Sequence, residues 1–357
     1  MSDRWRRAVV EPTASVRHAL QAISDGNLQI AFVLDAEGIL QGTVTDGDVR
    51  RGLLAGATID DSVQHVMHLD PITASPTDTP DVLAGLMRRK AIRQVPLVDE
   101  HRRMVGLHVH EGAFAGIARP NEVILMVGGL GSRLGALTND RPKPLIHVGR
   151  KPILETIVER LADQGFQRFH MAINYRGELI REHFGDGARW GVTIEYIEER
   201  ERLGTAGALS LLPAAPRDPF LVMNGDILTS LDFVRLIDFH VENRDAATVA
   251  VREHSVQVPY GVVSIEGHQV QGIIEKPTIR HFVSAGIYVL DAPCLRHLAP
   301  GQPADMPDLI QRVLDAGGRV GSFPVLEYWR DVGRPEDLAI AHAEVTDHLS
   351  DPDDDGR

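Results

Sequence analysis

The sequence predicts an α/β protein in which a Rossmann-like mixed sheet fills the larger C-terminal part and a small duplicated domain precedes it. Three observations carry this reading. Segments within the first 118 residues repeat at a constant offset; from Arg119-Pro120 onward short apolar runs alternate with helical stretches; and the first of those runs ends in a glycine-rich turn.

The length, 357 residues with 43% hydrophobic side chains, suits two packed domains. Thirty-seven basic residues against 50 acidic ones give a formal charge of −13. A broad grip on nucleic acid or on an anionic membrane is therefore not expected, and any anionic ligand needs local cations. Cys294 is the single cysteine, which excludes an internal disulfide and fits a reducing compartment. The basic start at Arg4, Arg6 and Arg7 meets Glu11 and Pro12 with no apolar core of an export signal, and no apolar run has membrane-spanning length. A cytoplasmic location is the expectation.

The repeat pairs Pro12-Thr13 with Pro76-Thr77, Asp35 with Asp99 and Gly42 with Gly106, all 64 residues apart. Each copy predicts an amphipathic helix (16–24; 82–89), an apolar strand (31–34; 95–98), an Asp-containing turn and a second strand ending near the glycine. Duplicated units of this kind pack face to face to bury what neither buries alone. Gly42-Thr43-Val44-Thr45-Asp46-Gly47-Asp48 resembles the end of a CBS motif, and the two copies resemble a CBS pair, or Bateman module. The resemblance implies an adenine nucleotide held by Thr45 near the phosphate and Asp48 on the ribose. The second copy has Val109 and Gly112 at those positions, so at most one good site is expected. A purely dimerising module without ligand is the competing reading.

In the second part, strands are predicted at 123–127, 169–173, 192–197, 220–223, 247–251, 261–265 and 286–290. Helices are predicted at 153–164, 179–184, 231–243, 306–316 and 335–345. The expected division is 1–118, 119–348 and an acidic, disordered tail at 349–357.

The strand at 123–127 runs into Gly128-Gly129-Leu130-Gly131-Ser132-Arg133-Leu134-Gly135, at the end of a strand where open α/β sheets bind ligands. Glycines let the main chain approach a polyphosphate and aim N–H groups at it. The third glycine falls one residue late for a dinucleotide fingerprint, and a Walker A loop needs the Gly-Lys-Ser/Thr that is absent. Arg133 and Lys143, the latter between Pro142 and Pro144, supply two cations for a triphosphate.

At this point the chain is similar to the sugar-1-phosphate nucleotidylyltransferases, the family of mannose-1-phosphate guanylyltransferase. The similarity rests on the Gly128–Leu134 loop, Arg141-Pro142-Lys143-Pro144-Leu145 and Lys151-Pro152-Ile153-Leu154. It spans roughly 121–345 in family order and departs at Val127, where the family usually has Ala. It implies a GT-A-like nucleotidyltransferase domain behind the CBS pair, using Mg²⁺, a nucleoside triphosphate and a sugar-1-phosphate. Arg133, Lys143 and Asp226 become the catalytic residues, with Asp226 of Asn224-Gly225-Asp226 and Asp331 of Trp329-Arg330-Asp331-Val332-Gly333 as metal ligands. Nucleotide contacts fall on Gly128, Gly129, Gly131, Ser132, Glu201, Gly204 and Thr205. Sugar-phosphate contacts fall on Gly261, Glu275, Lys276, Ser284 and Tyr288.

Each aspartate taken alone is also an ordinary turn or N-cap residue, and His147 and His183 read as packing or surface residues rather than ligands. The reaction implied is in-line attack of the sugar phosphate on the α-phosphorus, with pyrophosphate leaving. GTP and a hexosamine or related 1-phosphate are favoured over uridylyl or thymidylyl transfer. The short stretch after residue 345 argues against a hexapeptide-repeat acetyltransferase. A nucleotide-sensing regulator without turnover is the rival from another class, and a homo-oligomer is expected by analogy.

Overall fold

The computed structural model describes residues 3–26, 28, 30–90, 92, 94–109, 118–138 and 140–349, so Gly112 and the acidic residues 351–357 lie outside the described residues. The chain divides into two compact units, 1–117 and 118–357.

In the first unit, β1 (Val9–Val10), α1 (Val16–Gly26), β2 (Ile30–Leu34), β3 (Leu40–Thr45) and α2 (Asp46–Leu54) form the first copy. The second contains α3 (Pro80–Lys90), β4 (Gln94–Val98) and β5 (Met104–Val109). β2 and β3 pair antiparallel, as do β4 and β5. The sequence repeat is a structural one. Asp35 Oδ1 accepts from the Ile39 N–H at 2.8 Å and Asp99 Oδ1 from the Arg103 N–H at 2.8 Å. Those amide donors hold both carboxyls below their usual range. The copies meet reciprocally: Leu40 N donates to Arg102 O and Met104 N to Gly38 O, each at 3.0 Å. Since 38 corresponds to 102 and 40 to 104, this is pseudo-two-fold pairing. It buries Phe32, Leu34, Leu40 and Met104 in one cluster with Trp5.

The helix α2 begins at the pair singled out for a nucleotide. Thr45 Oγ1 donates to Asp48 Oδ2 at 2.6 Å and accepts from Asp48 N at 3.2 Å, while Thr45 N donates to Asp48 Oδ2 at 2.8 Å. This is a capping box, with Asp48 also paired to Arg51.

The second unit is built on a seven-stranded mixed sheet. Its strands are β6 (Arg119–Met126), β9 (Phe166–Ile173), β10 (Thr193–Glu198), β11 (Phe220–Asn224), β13 (Ala247–Gln257), β16 (Thr278–Leu290) and β17 (Val320–Pro324), in the order β10-β9-β6-β11-β16-β13-β17. β10, β9, β6 and β11 run parallel, and β16 is antiparallel to β11 and β13. Short pairs β7 (His147–Val148) with β8 (Lys151–Pro152), β12 (Ile227–Thr229) with β18 (Trp329–Asp331), and β14 (Val262–Glu266) with β15 (Gln269–Ile274) complete the strands. The helices are α4 (Ile153–Asp163), α5 (Gly177–Phe184), α6 (Gly204–Gly207), α7 (Phe233–Asn243), α8 (Met306–Asp315) and α9 (Pro335–Leu349). Parallel strands covered on both faces read as continuous apolar runs, and β6 buries Val123, Ile124 and Leu125 completely. Among the described residues no helix is long and apolar enough to cross a membrane.

Candidate active site

The parallel strands β6 and β11 are neighbours, with Met126 opposite Asn224. Their carboxyl ends therefore deliver the glycine-rich loop and Asn224-Gly225-Asp226 side by side. Gly225 N donates to Met126 O at 2.9 Å, tying the two ends together. Gly131 has φ +65, and a Cβ there would lie 2.8 Å from Thr138 Cγ2 and 2.9 Å from Lys143 Cβ. Only glycine suits both the left-handed backbone and that close approach to the Lys143 segment. Gly129, Ser132 and Arg133 remain exposed along the loop.

Lys143 is buried, and its Nζ donates to Asp226 Oδ2 and lies 3.8 Å from Asp331 Oδ1. The second aspartate arrives by a short antiparallel ladder that pairs Ile227 with Asp331, closed by the Val332 N–H donating to Asp226 O at 3.1 Å. Trp329 fixes that segment by donating its indole N–H to Ala285 O at 2.9 Å. Burial, and next the charge of Asp226, push the Asp331 carboxyl above its ordinary value, while Lys143 and Arg133 oppose the shift. Arg133 overhangs the pair: a Cβ at Gly333 would lie 3.5 Å from its Nη1.

Asp226 Oδ1 and Asp331 Oδ1 are buried without a hydrogen-bond partner. Two buried carboxylate oxygens without hydrogen-bond partners, both beside the Lys143 ammonium, fit a hard divalent cation. Among the described residues no group of three or more His, Cys, Asp or Glu side chains is gathered for a metal. The donor set therefore suits an ion that keeps waters and takes phosphate oxygens, as Mg²⁺ does.

Across the loop stands a residue that sequence reasoning passed over. Glu199 follows β10, where its Oε2 accepts from the Leu203 N–H at 2.9 Å, and its Oε1 lies 3.0 Å from where a Cβ on Gly128 would sit. Asn174 Nδ2 holds the Glu199 carbonyl at 2.7 Å. Burial raises the Glu199 carboxyl, opposed by the Leu203 amide and Arg202. Its position just beyond the carboxyl end of a parallel strand was the available signal. Glu201, singled out from sequence, is exposed two residues further on.

The short turn of α6, with Leu203 before it, is clamped by the segment that leads into α8. Thr205 N and Oγ1 both donate to Asp305 Oδ1, at 2.9 and 3.2 Å, and Met306 N donates to Thr205 Oγ1 at 2.9 Å. Ala304 N donates to Leu203 O, and Ala304 O accepts from Ala206 N and Gly207 N. Gly204 has φ +77 and no room for a Cβ, which would sit 2.6 Å from Ala304 O. Thr205 is thus engaged in holding the loop.

The residues expected at a sugar phosphate fall into two groups. Ser284 Oγ and Tyr288 Oη share a hydrogen bond of 2.7 Å on β16, and burial raises the Tyr288 phenol. Gly261, Glu275 and Lys276 lie on an exposed β-hairpin arm. A Cβ on Gly261 would sit 3.0 Å from Glu275 Oε2, and Lys276, at φ 46, donates its N–H to Tyr260 O at 3.2 Å. Among the described residues no hydrogen bond or ion pair joins Glu275 or Lys276 to Lys143, Asp226 or Asp331. His183 bonds the buried Glu155 at 2.7 Å and packs on Phe184 and Trp190, which is a packing role.

Fold and site together define an α/β sheet protein with a glycine-rich loop, a buried lysine and two neighbouring carboxylates gathered beside the carboxyl ends of its parallel strands. The chain belongs to the nucleotidyl transferase family, which residues 122–348 match, and it carries CBS domains at 6–55 and 63–107. Mannose-1-phosphate guanylyltransferase catalytic subunit beta of Danio rerio is 32% identical over 225 residues, 61% of this chain and 62% of its own length. The mannose-1-phosphate guanyltransferase of Yarrowia lipolytica is 35% identical over 223 residues, 60% of this chain and 61% of its own. This chain thus spans less than two thirds of the length of these relatives. A Bacillus anthracis protein described as a glucose-1-phosphate thymidylyltransferase, solved with sucrose, superposes with a TM-score of 0.52 at 26% identity, covering 63% of this chain and 95% of its own.

Proposed function

We propose that this protein transfers a nucleotidyl group from GTP to a hexose-1-phosphate, releasing pyrophosphate. The observation that carries the reading is Lys143, buried between Asp226 and Asp331 beside the Gly128–Gly135 loop. The sugar phosphate is already an anion at neutral pH, so no side-chain nucleophile is needed; positioning and charge neutralisation do the catalysis. Loop amides and Arg133 hold the triphosphate and its departing pyrophosphate, and Lys143 turns from Asp226 to the α-phosphate. Asp226 and Asp331 are the residues that would hold Mg²⁺, and the ion when bound would supply charge neutralisation to the phosphates. Lys276, with Glu275 on the sugar hydroxyls, meets the sugar phosphate when the arm carrying it approaches the site; Gly261, Ser284 and Tyr288 line the sugar side.

Glu199 supports guanine over uracil or thymine. An ionised carboxylate only accepts hydrogen bonds. Guanine offers adjacent N1–H and N2–H₂ donors to such a group, whereas uracil and thymine set one N3–H donor between two carbonyls that repel it. The guanylyltransferase names of the relatives point the same way.

The experiment is pyrophosphate release with Mg²⁺, crossing GTP, UTP, dTTP, CTP and ATP with mannose-, glucosamine- and glucose-1-phosphates. Release with GTP and one sugar phosphate is expected. Silence from every pair, with and without an adenine nucleotide for the Thr45–Asp48 site, would favour a regulator that binds without turnover.

A further inference from the structure

Helix α8 opens at Asp305, yet the Asp305 carboxylate does not cap its own helix. An aspartate at that position ordinarily accepts from the second or third amide of the helix it begins. Asp305 Oδ1 accepts instead from Thr205 N at 2.9 Å and Thr205 Oγ1 at 3.2 Å, while the Thr205 hydroxyl accepts from Met306 N at 2.9 Å. The starts of α6 and α8 thus cap each other although the two residues stand 100 positions apart in the chain.

This exchange reaches Glu199 through one residue. Ala304 N, next to Asp305, donates to Leu203 O, and Leu203 N donates to Glu199 Oε2, each at 2.9 Å. Leu203 is therefore fixed at both its carbonyl and its amide. Glycines permit the approach: a Cβ would lie 2.6 Å from Asp305 Oδ1 at Gly204 and 2.7 Å from Gln302 O at Gly207. The Leu203 amide also opposes the upward push that burial exerts on the Glu199 carboxyl, and only the ionised carboxyl is an acceptor alone. Where Leu203 stands thus governs both the aim of Glu199 and its ability to accept. The remaining ties to α6 are backbone bonds at Leu203, Ala206 and Gly207; Thr205 is held by the Asp305 side chain.

We propose that Asp305 is a positioning residue for nucleotide selection: by holding Thr205 it keeps the Leu203 amide on Glu199 and so sets the preference for guanine. This role presupposes that Glu199 reads the base. Asp305 acts at a distance, through α6, and needs no contact with the nucleotide. A carboxylate that merely stabilised the start of α8 would change the melting temperature and leave the choice between triphosphates alone.

The test is the ratio of kcat/KM for GTP to that for UTP in the full chain and in Asp305→Ala, Asp305→Asn, Glu199→Gln and Asp305→Ala/Glu199→Gln. The ratio of GTP to UTP dissociation constants, measured by calorimetry, gives the same comparison for any variant that turns over slowly. Asp305→Ala should lower the preference for GTP about five- to tenfold. Asp305→Asn keeps a side-chain oxygen for Thr205 and should recover most of it. The double variant should be no less selective than Glu199→Gln, because residues that act through one contact are not additive. An unaltered ratio in Asp305→Ala, or a loss that adds in full to that of Glu199→Gln, would overturn the proposal while leaving Glu199 in place. An unaltered ratio in Glu199→Gln would overturn the reading of Glu199 itself, and the role of Asp305 with it.

Discussion

Lys143 and Asp226 lie 83 residues apart in the sequence, yet the Lys143 ammonium donates to the Asp226 carboxylate in a buried ion pair. The pair exists because β6 and β11 are parallel neighbours whose ends open on one side of the sheet. A buried charge that loses its partner is costly, so the pair is both a structural constraint and a poised cation.

Replacing Lys143 with Ala is predicted to lower turnover by on the order of 10²–10³, the usual cost of one donor aimed at developing phosphate or oxyanion charge. The variant leaves Asp226 and Asp331 facing each other, so its melting temperature should fall without Mg²⁺ and recover when Mg²⁺ is added. Near-normal turnover would remove Lys143 from the chemistry.

Asp226→Asn and Asp331→Asn should each raise the Mg²⁺ concentration needed for half-maximal activity. Loss of an outer-shell partner alone costs about 10–100-fold in metal affinity, so a shift of at least tenfold is expected. A Mg²⁺ titration of activity measures it, and an unchanged midpoint in both variants would rule out the pair as ligands.

Glu199→Gln should lose selectivity for GTP. Hydrogen bonds to a charged group contribute about 1.5–3 kcal/mol, so kcat/KM for GTP should drop roughly 10–100-fold while that for UTP or dTTP stays level or rises. Competition between triphosphates reads the ratio; an unaltered preference would place the base elsewhere.

Gly204→Ala introduces a side chain at φ +77 against Ala304 O. Strain of this kind costs about 1–3 kcal/mol. The variant should melt earlier and show a raised KM for the triphosphate with the KM for the sugar phosphate unchanged.

Burial pushes the Cys294 thiol up to about 11. The native protein should therefore react slowly with a disulfide reagent at pH 8 and quickly once denatured. The sign of the linkage follows. The thiol's contribution to stability is fully present below its unfolded value near 9 and is lost as pH rises through about 11.

The sequence by itself determined whatever depends on neighbours along the chain. The 64-residue repeat, the apolar run into Gly128-Gly129 and the Asn224-Gly225-Asp226 and Trp329-Arg330-Asp331 segments were legible because strand periodicity and turn chemistry are local. Helix α2, β15 and β17 were not anticipated, since their patterns are short or carry mixed polarity. The tertiary structure decided what depends on register between distant strands. The β12–β18 ladder brings Asp331 to Asp226 and leaves an oxygen of each without a hydrogen-bond partner. Asp305, a hundred residues from Thr205, takes up that hydroxyl, and Glu199 rather than Glu201 stands against Gly128. No local propensity encodes these meetings; each follows from which strands lie side by side and how far a side chain reaches between them.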